Sequence, residues 1–360
     1  MNTIIKFGWV LLFSSSFFHT MLIADETKTN VKNEDDKKIG KFLGAEDATH
    51  PEWFKESFLD LEEDVNEAIE SNKRLIIYFW QNGCPYCVQL WRDNFADPKV
   101  VAEFRQNFDV IALNIWGDRE VINVGGADYS EKTFAKALGI KYTPTLLFFD
   151  ESGKVIHRLN GYVPPDNFQK SMRYVSGKHE KKFKFSEFSI RDKADVPTRK
   201  DSALNKQDFF IKPIFDLSKR DENKNHTVVF FEAPDCKNCD LLHQKTLKDP
   251  TTLDLAKKFM AVQLDRYSTA TVITPNGKTT TAKQWAIDLD IEYLPAMVFF
   301  DDKGKQVMRI DTQLRTFHIQ SVFDYVLSGK YLTEPNFQGY ISDRADRIRK
   351  SGRDIDIFAY

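Results

Sequence analysis

The chain has 360 residues, 42% of them hydrophobic, with 30 phenylalanines and a formal net charge of -2. At ~100 to 200 residues per domain, that length holds two domains, each with apolar content enough for its own core. The near-neutral balance excludes nucleic acid or an anionic membrane surface as the principal partner, because such partners are attracted by concentrated positive charge.

The opening residues, MNTIIKFGWVLLFSSSFFHTMLIADE, join Lys6 to an apolar run from Phe7 to Phe18 and a cleavage point after Ala24. That is the pattern of a secretory signal peptide, so residues 1–24 are expected to be removed and the mature chain exported. An uncleaved anchor is the weaker reading, since a span takes roughly 20 apolar residues and this run is broken by serines, His19 and Thr20. No other stretch is apolar enough to span a bilayer, so no stable membrane insertion is expected after cleavage. Asp25 to Lys38 holds almost nothing apolar, and 25–46 is expected to form a disordered leader.

From residue 47 the elements come in an order that occurs twice. Phe58 to Lys73 has helical spacing, and Leu75 to Trp80 is a continuous apolar run fit for a buried strand. It leads through Gly83 into Cys84 and a helix reaching Leu90. Pro98 opens a second helix, where its missing N–H is tolerated. A strand Val110 to Trp116 follows, then a helix Lys132 to Leu138, strands Thr145 to Phe149 and Val155 to Leu159 around an ESGK turn, and a closing helix Phe168 to Val175. The second copy reads strand Thr227 to Glu232, a helix opened by Cys236, strand Ala261 to Leu264, helix Ala282 to Leu289, hairpin Ala296 to Ile310 and helix His318 to Leu327.

The sequences themselves repeat as well. KALGIKYTPTLLFFDESGKV (Lys136 to Val155) matches AIDLDIEYLPAMVFFDDKGKQV (Ala286 to Val307), and Asp97-Pro98 matches Asp249-Pro250, so the chain is a tandem duplication. The domains are expected at 47–178 and 205–332, joined by a charged linker, 179–204, and followed by a partly helical tail, 333–360. Strands flanked by helices imply an α/β unit whose mixed central sheet is covered on both faces. In the linker, Phe183, Phe185 and Phe188 alternate and either pair as an edge strand or pack between domains, and packing is favoured over a binding role. The alternating charges of Gly339 to Asp354 suggest a helix with a solvated face.

Every cysteine belongs to a CxxC: Cys84 with Cys87, and Cys236 with Cys239. Two cysteines separated by two residues in the first turn of a helix can close a small disulfide ring, and the first thiol lies in the positive end field of the helix, which favours thiolate. Thiolate is the nucleophile of disulfide exchange. Cys84 and Cys236 would attack a partner's disulfide, while Cys87 and Cys239, buried one turn on, would resolve the mixed disulfide. A structural disulfide is disfavoured because so short a loop restrains the unfolded chain little. Zinc is disfavoured because the two pairs would have to leave their own repeats to meet. No metal is expected, and no cofactor other than the redox-active disulfides. His243, four residues past Cys239, is matched by Trp91 in the first copy and is expected to face solvent.

This order of elements, with CxxC after the first buried strand, resembles the thioredoxin family. The resemblance implies cis peptide bonds at Pro144 in YTPT and Pro295 in YLPA, with Thr143-Pro144 and Leu294-Pro295 forming substrate-binding loops that face the cysteines. IWGDREV (Ile115 to Val121), EAPDCKNC, TPNGKTTTAKQWA and FHIQSVFDYVLSGKY extend the likeness to the SoxW-type periplasmic thioredoxins of sulfur-oxidising bacteria, over nearly the whole mature chain. That likeness implies a periplasmic reductase of protein disulfides, acting on sulfur-oxidation components with electrons from a membrane thiol transporter. Two features depart from the family pattern. The position six before the first cysteine, a buried acid in familiar thioredoxins, is Tyr78 or Phe230, which leaves proton relay to water, Glu232 or another acid. Asn82-Gly83 and Pro234-Asp235 stand where a tryptophan is usual. The dipeptides Pro85-Tyr86 and Lys237-Asn238 do not fix a direction of electron flow, so oxidase or isomerase activity, and a binding or chaperone module with little redox activity, stay open as alternatives.

Overall fold

The computed structural model describes residues 39–191, 203–212, 215–219, 224 and 226–360. The expected signal segment 1–24, the leader up to residue 38 and residues 192–202 of the linker lie outside the described residues. After a short strand β1 (Phe42–Leu43), the carboxylate of Asp60 accepts from the N–H groups of Glu62 and Glu63 and so caps α1 (Leu61–Glu70). Then come β2 (Arg74–Trp80), α2 (Pro85–Asn94), α3 (Pro98–Asn107), β3 (Phe108–Asn114), a small hairpin β4 (Glu120–Ile122) and β5 (Asp128–Ser130), α4 (Glu131–Ala137), β6 (Thr145–Phe149), β7 (Val155–Asn160) and α5 (Pro165–Ser176). The main sheet has the order β3-β2-β6-β7, with β2 and β3 parallel and the other pairs antiparallel.

Side-chain alternation along the strands explains why this sheet is covered twice. Ile76, Tyr78, Leu146 and Phe148 join Leu90 of α2, Phe104 of α3 and Phe168 of α5 in one cluster. Leu75, Ile77, Phe79, Leu147 and Phe149 join Leu61 and Val65 of α1 and Phe134 of α4 in another. Phe104 and Phe168 are fully enclosed, each contributing roughly 1.5–3 kcal/mol by burial.

A short helix α6 (Phe185–Arg191) precedes the second unit: β8 (Thr227–Glu232), α7 (Lys237–Gln244), α8 (Pro250–Ala256), β9 (Met260–Asp265), the hairpin β10 (Thr271–Ile273) and β11 (Thr279–Thr281), α9 (Ala282–Asp288), β12 (Ala296–Phe300), β13 (Gln306–Ile310) and α10 (Thr316–Leu327). Its sheet, β9-β8-β12-β13, repeats the first. The fold is a tandem of two thioredoxin-like α/β units, each a mixed sheet flanked by helices. The chain ends with α11 (Phe337–Lys350) and β14 (Ile355–Asp356).

Two expectations change, and one choice between alternatives is resolved. Residues 39–46 are not part of a disordered leader: Phe42 and Leu43 pair in parallel with Ile355 and Asp356. Their partner comes from the far end of the chain, which local composition does not reveal. The linker phenylalanines form no edge strand; Phe185, only 2% exposed, sits on helix α6 with its ring 6.2 Å from that of Tyr293 in the second unit. Packing between the units is therefore its role. The tail helix has a solvated face only on one side, since Phe337, Tyr340, Ile341 and Ala345 are buried.

Candidate active site

Each cysteine pair sits where a buried strand turns into a helix. The turn needs a left-handed residue just before the first cysteine. Gly83 supplies it at φ 67 in the first unit, and Asp235 at φ 61 in the second, aspartate being among the side chains that tolerate this region. Cys84 and Cys236 are the N-cap residues of α2 and α7, and each Sγ accepts the N–H of the second cysteine at 3.1 Å. The pairs are closed as the disulfides Cys84–Cys87 and Cys236–Cys239. Cys87 and Cys239 are fully enclosed. Each first sulfur thus lies at the positive end of a helix.

The peptide bonds Thr143–Pro144 and Leu294–Pro295 are cis. In the first unit the Oγ1 of Thr143 lies 3.4 Å from Cys84 Sγ and accepts from Gln81 Nε2 at 2.8 Å. A disulfide sulfur carries no proton, so the hydroxyl is the donor in the sulfur contact. In the second unit Leu294 and Pro295 line an apolar pocket together with Asn238, Leu241 and Leu242 of α7. Each loop therefore lies beside its own CxxC helix.

The expectation of an outermost first thiol holds for Cys236, which is half-buried, and fails for Cys84, which is 3% exposed. On this side of the molecule the first unit packs against the second. Tyr142 donates through its hydroxyl to the carbonyl of Arg309 at 2.7 Å, Thr312 donates to the carbonyl of Tyr162 at 2.7 Å, and the hydroxyls of Ser171 and Tyr293 lie 2.9 Å apart. Tyr86, inside the CPYC motif, accepts the backbone N–H of Arg315 at 2.8 Å, and its ring meets His318 edge-on at 5.1 Å. Burial pushes its phenol well above the ordinary range.

Beneath the second pair the expected solvent-facing His243 is instead buried, at 4% exposure, with Nε2 2.8 Å from Glu232 Oε1. Its Nδ1 lies 3.2 Å from Gln207 Nε2, so the ring bridges Gln207 and Glu232. Glu232, fully enclosed, also accepts from Gln263 Nε2 at 2.9 Å. The sequence contained the signal: a residue four past Cys239 on a helix shares the face that Cys239 buries. The corresponding place in the first unit is aromatic, with Trp91 4.8 Å from Tyr78 and His50 4.3 Å from Trp80, ring centre to ring centre. Among the described residues no group of three or more His, Cys, Asp or Glu is arranged to hold a metal ion.

Two thioredoxin folds in one chain, each carrying a helix-capping CxxC disulfide beside a cis-proline loop, define a doubled cysteine-pair protein. The chain belongs to the thioredoxin-like family: the model of the thioredoxin-like domain matches residues 61–176 and again 216–327, together more than half of the chain. It is similar to the thiol:disulfide interchange protein DsbD of Photorhabdus laumondii, 26% identical over 107 residues, which is 29% of this chain and 17% of that protein. The chain thus matches only about a sixth of the length of that curated relative. Among solved structures it is similar to a thioredoxin-fold protein from Helicobacter pylori, with 24% identity, coverage of 34% of this chain and 81% of the other, and a TM-score of 0.30. A thioredoxin from Thermus thermophilus gives 20% identity, coverage of 39% and 88%, and a TM-score of 0.28.

Proposed function

We propose that this protein is an exported thiol–disulfide oxidoreductase, a reductase of protein disulfides in which both CxxC pairs are redox centres. The observation that carries the reading is the same at both sites: a first sulfur held at a helix N-terminus beside a cis-proline loop, with its partner cysteine enclosed behind it. In the reduced state the Cys236 thiolate attacks a sulfur of the partner's disulfide, forming a mixed disulfide and expelling the partner's other sulfur as a thiolate. Cys239 loses its proton and attacks Cys236 Sγ, which re-forms Cys236–Cys239 and frees the second sulfur of the partner. The partner gains two electrons and two protons; the protein's dithiol becomes a disulfide. Glu232, four residues before Cys236 and bonded to His243, is the acid available for that proton movement. No cofactor is required, because the electrons reside in the cysteines.

The site residues of this reading are Cys84, Cys87, Cys236 and Cys239, with Thr143, Pro144, Leu294 and Pro295 forming the substrate loops. The signal-like first 24 residues support a periplasmic location, and the SoxW-type resemblance supports sulfur-oxidation proteins as substrates and a membrane thiol donor as the source of electrons. No helix among the described residues is long and apolar enough to cross a membrane. For the first unit a binding role has one observation in its favour, the burial of Cys84. Insulin reduction with dithiothreitol separates the readings: Cys84→Ser, Cys236→Ser and the double variant are compared with the wild type. Loss of all acceleration in the double variant is expected; a double variant as active as the wild type refutes the proposal.

A further inference from the structure

The two disulfides have the same local geometry and different exposure, and segments from both ends of the described chain lie beside the first of them. Near the N-terminus of the described chain, Lys41 donates its N–H to Asp354 Oδ1 at 2.7 Å, and Gly40 and Arg349 exchange bonds, N–H to carbonyl and Nε to carbonyl, at 2.9 Å each. The pairing of β1 with β14 continues this zipper, ending with the N–H of Ile357 on the carbonyl of Leu43 at 3.0 Å. The zipped ends lie over the CPYC turn. Asp47 Oδ1 accepts the N–H of Gly83 at 2.9 Å, Gln338 of α11 accepts from Gln81 at 3.0 Å, and Phe358 sets its ring edge-on against Tyr86 at 5.1 Å. Arg315 stacks over the rings of Phe358 and Tyr360, at 4.8 and 3.7 Å, and holds the last residues in place. Among the described residues the second CxxC is met by the tail only at Tyr360, which shares a pocket with Asn238, and Cys236 is half-buried.

We infer that the C-terminal segment Ile355–Tyr360, zipped to residues 40–43, is an autoinhibitory clasp that gates Cys84 and leaves Cys236 open to exchange. The clasp rests on few anchors. Its strands are two residues long, with Phe42, Leu43 and Asp356 exposed and Ile355 and Ile357 buried as its footholds, and a two-stranded pairing alone is marginal in water. Short segments with few buried contacts open at low free energy while the rest of the fold stays closed. Access to the first disulfide is then set by opening of the chain ends, and a partner that reaches Cys84 has to displace Phe358 from Tyr86. The gated pair is one of the two centres assigned above, so the biological meaning rests on that reading, but the chemical accessibility does not.

The experiment uses the full-length oxidised protein and dithiothreitol, which is itself oxidised to its cyclic disulfide as each protein disulfide takes up two electrons and two protons. Timed aliquots are quenched with iodoacetamide, and the CPYC and CKNC peptides are quantified by mass spectrometry, with the urea-unfolded chain supplying the intrinsic ratio of the two rates. In the folded wild type the CPYC pair is expected to be labelled more slowly than the CKNC pair, by on the order of tenfold beyond the intrinsic ratio. A chain ending at Gly352 should raise the CPYC rate by most of that factor and move the CKNC rate far less. Gly40→Val opens the same clasp from the other side, since a Cβ there collides with the Arg353 carbonyl oxygen, and should act alike. Equal normalised rates in the folded wild type overturn the inference, as does a CPYC rate unmoved in both variants. An inactive protein that still shows the gated pattern refutes the reductase reading and leaves the clasp standing.

Discussion

Truncating Glu232 to alanine removes the carboxylate that His243 and Gln263 share at 2.8 and 2.9 Å. Glu232 is fully enclosed and His243 is 4% exposed, so water does not replace the lost acceptor without opening the core. Breaking a buried pair by deleting one member costs about 3–5 kcal/mol. Counting the two donors separately, at about 1–3 kcal/mol for each left unsatisfied, gives about 2–6 kcal/mol, and the two routes agree. Glu232→Gln keeps the shape and one acceptor oxygen, and should cost about 1–2 kcal/mol. Urea unfolding of the oxidised protein, followed by far-ultraviolet circular dichroism, reads both. An alanine variant within about 0.5 kcal/mol of the wild type refutes the reasoning, because it requires the pair to be wet or unmade in solution.

The buried His157 is held down to about 3 by desolvation, so the unfolded chain takes up a proton as pH falls below about 6.5 while the native chain does not. The stabilisation is thus present above pH 6.5 and lost progressively toward pH 3. Glu292, whose carboxyl burial holds well above its usual range, pulls the curve the other way, so the test is the difference between wild type and His157→Gln in urea unfolding across pH 7 to 4. The wild type should lose ground to the variant on acidification, and a pH-independent difference counts against it. Gly161 has φ 77 and its absent Cβ would meet Thr312 Oγ1 at 2.5 Å. Gly161→Ala should therefore cost about 1–2 kcal/mol from the backbone alone and more at the interface, with Thr312→Ala in the same chain recovering part of the loss; additive effects in that double-mutant cycle deny the contact. The Thr143 hydroxyl beside Cys84 has only Leu294 as its counterpart, and a donor near a thiolate favours the charged form. Titration of the chain with one cysteine pair replaced at a time should give midpoints at least ~30 mV apart, about 1.4 kcal/mol for a two-electron couple, and coincident midpoints refute the asymmetry.

What the sequence made legible was the part determined by local periodicity. Thr145 to Phe149 and Thr227 to Glu232 were read to the residue because each is an unbroken apolar run bounded by polar turns. The duplication placed both CxxC pairs at the same junction, and the resemblance placed both proline loops. The small hairpins β4–β5 and β10–β11 were missed, since three-residue strands carry too little pattern, and α8 was marked only by its Asp-Pro start. His243 departs from the expectation drawn from Trp91 because its helical position places it on the face that Cys239 buries. The cover over Cys84 was invisible for a different reason. It is made by residues from both chain ends and from the second unit, and no window of sequence contains such a contact.

The central claim is that both cysteine pairs are exchange-active, and equilibrium titration of the full chain tests it most directly. The protein is poised in glutathione or dithiothreitol buffers, trapped by alkylation, and each pair is read as its own peptide. Both Cys84–Cys87 and Cys236–Cys239 should convert reversibly to dithiols with midpoints between about -120 and -270 mV, the range of exchange-active pairs on this fold. A pair that stays closed below about -300 mV, where structural disulfides lie, or a Cys84-to-Cys236 cross-link in the oxidised peptides, contradicts the account.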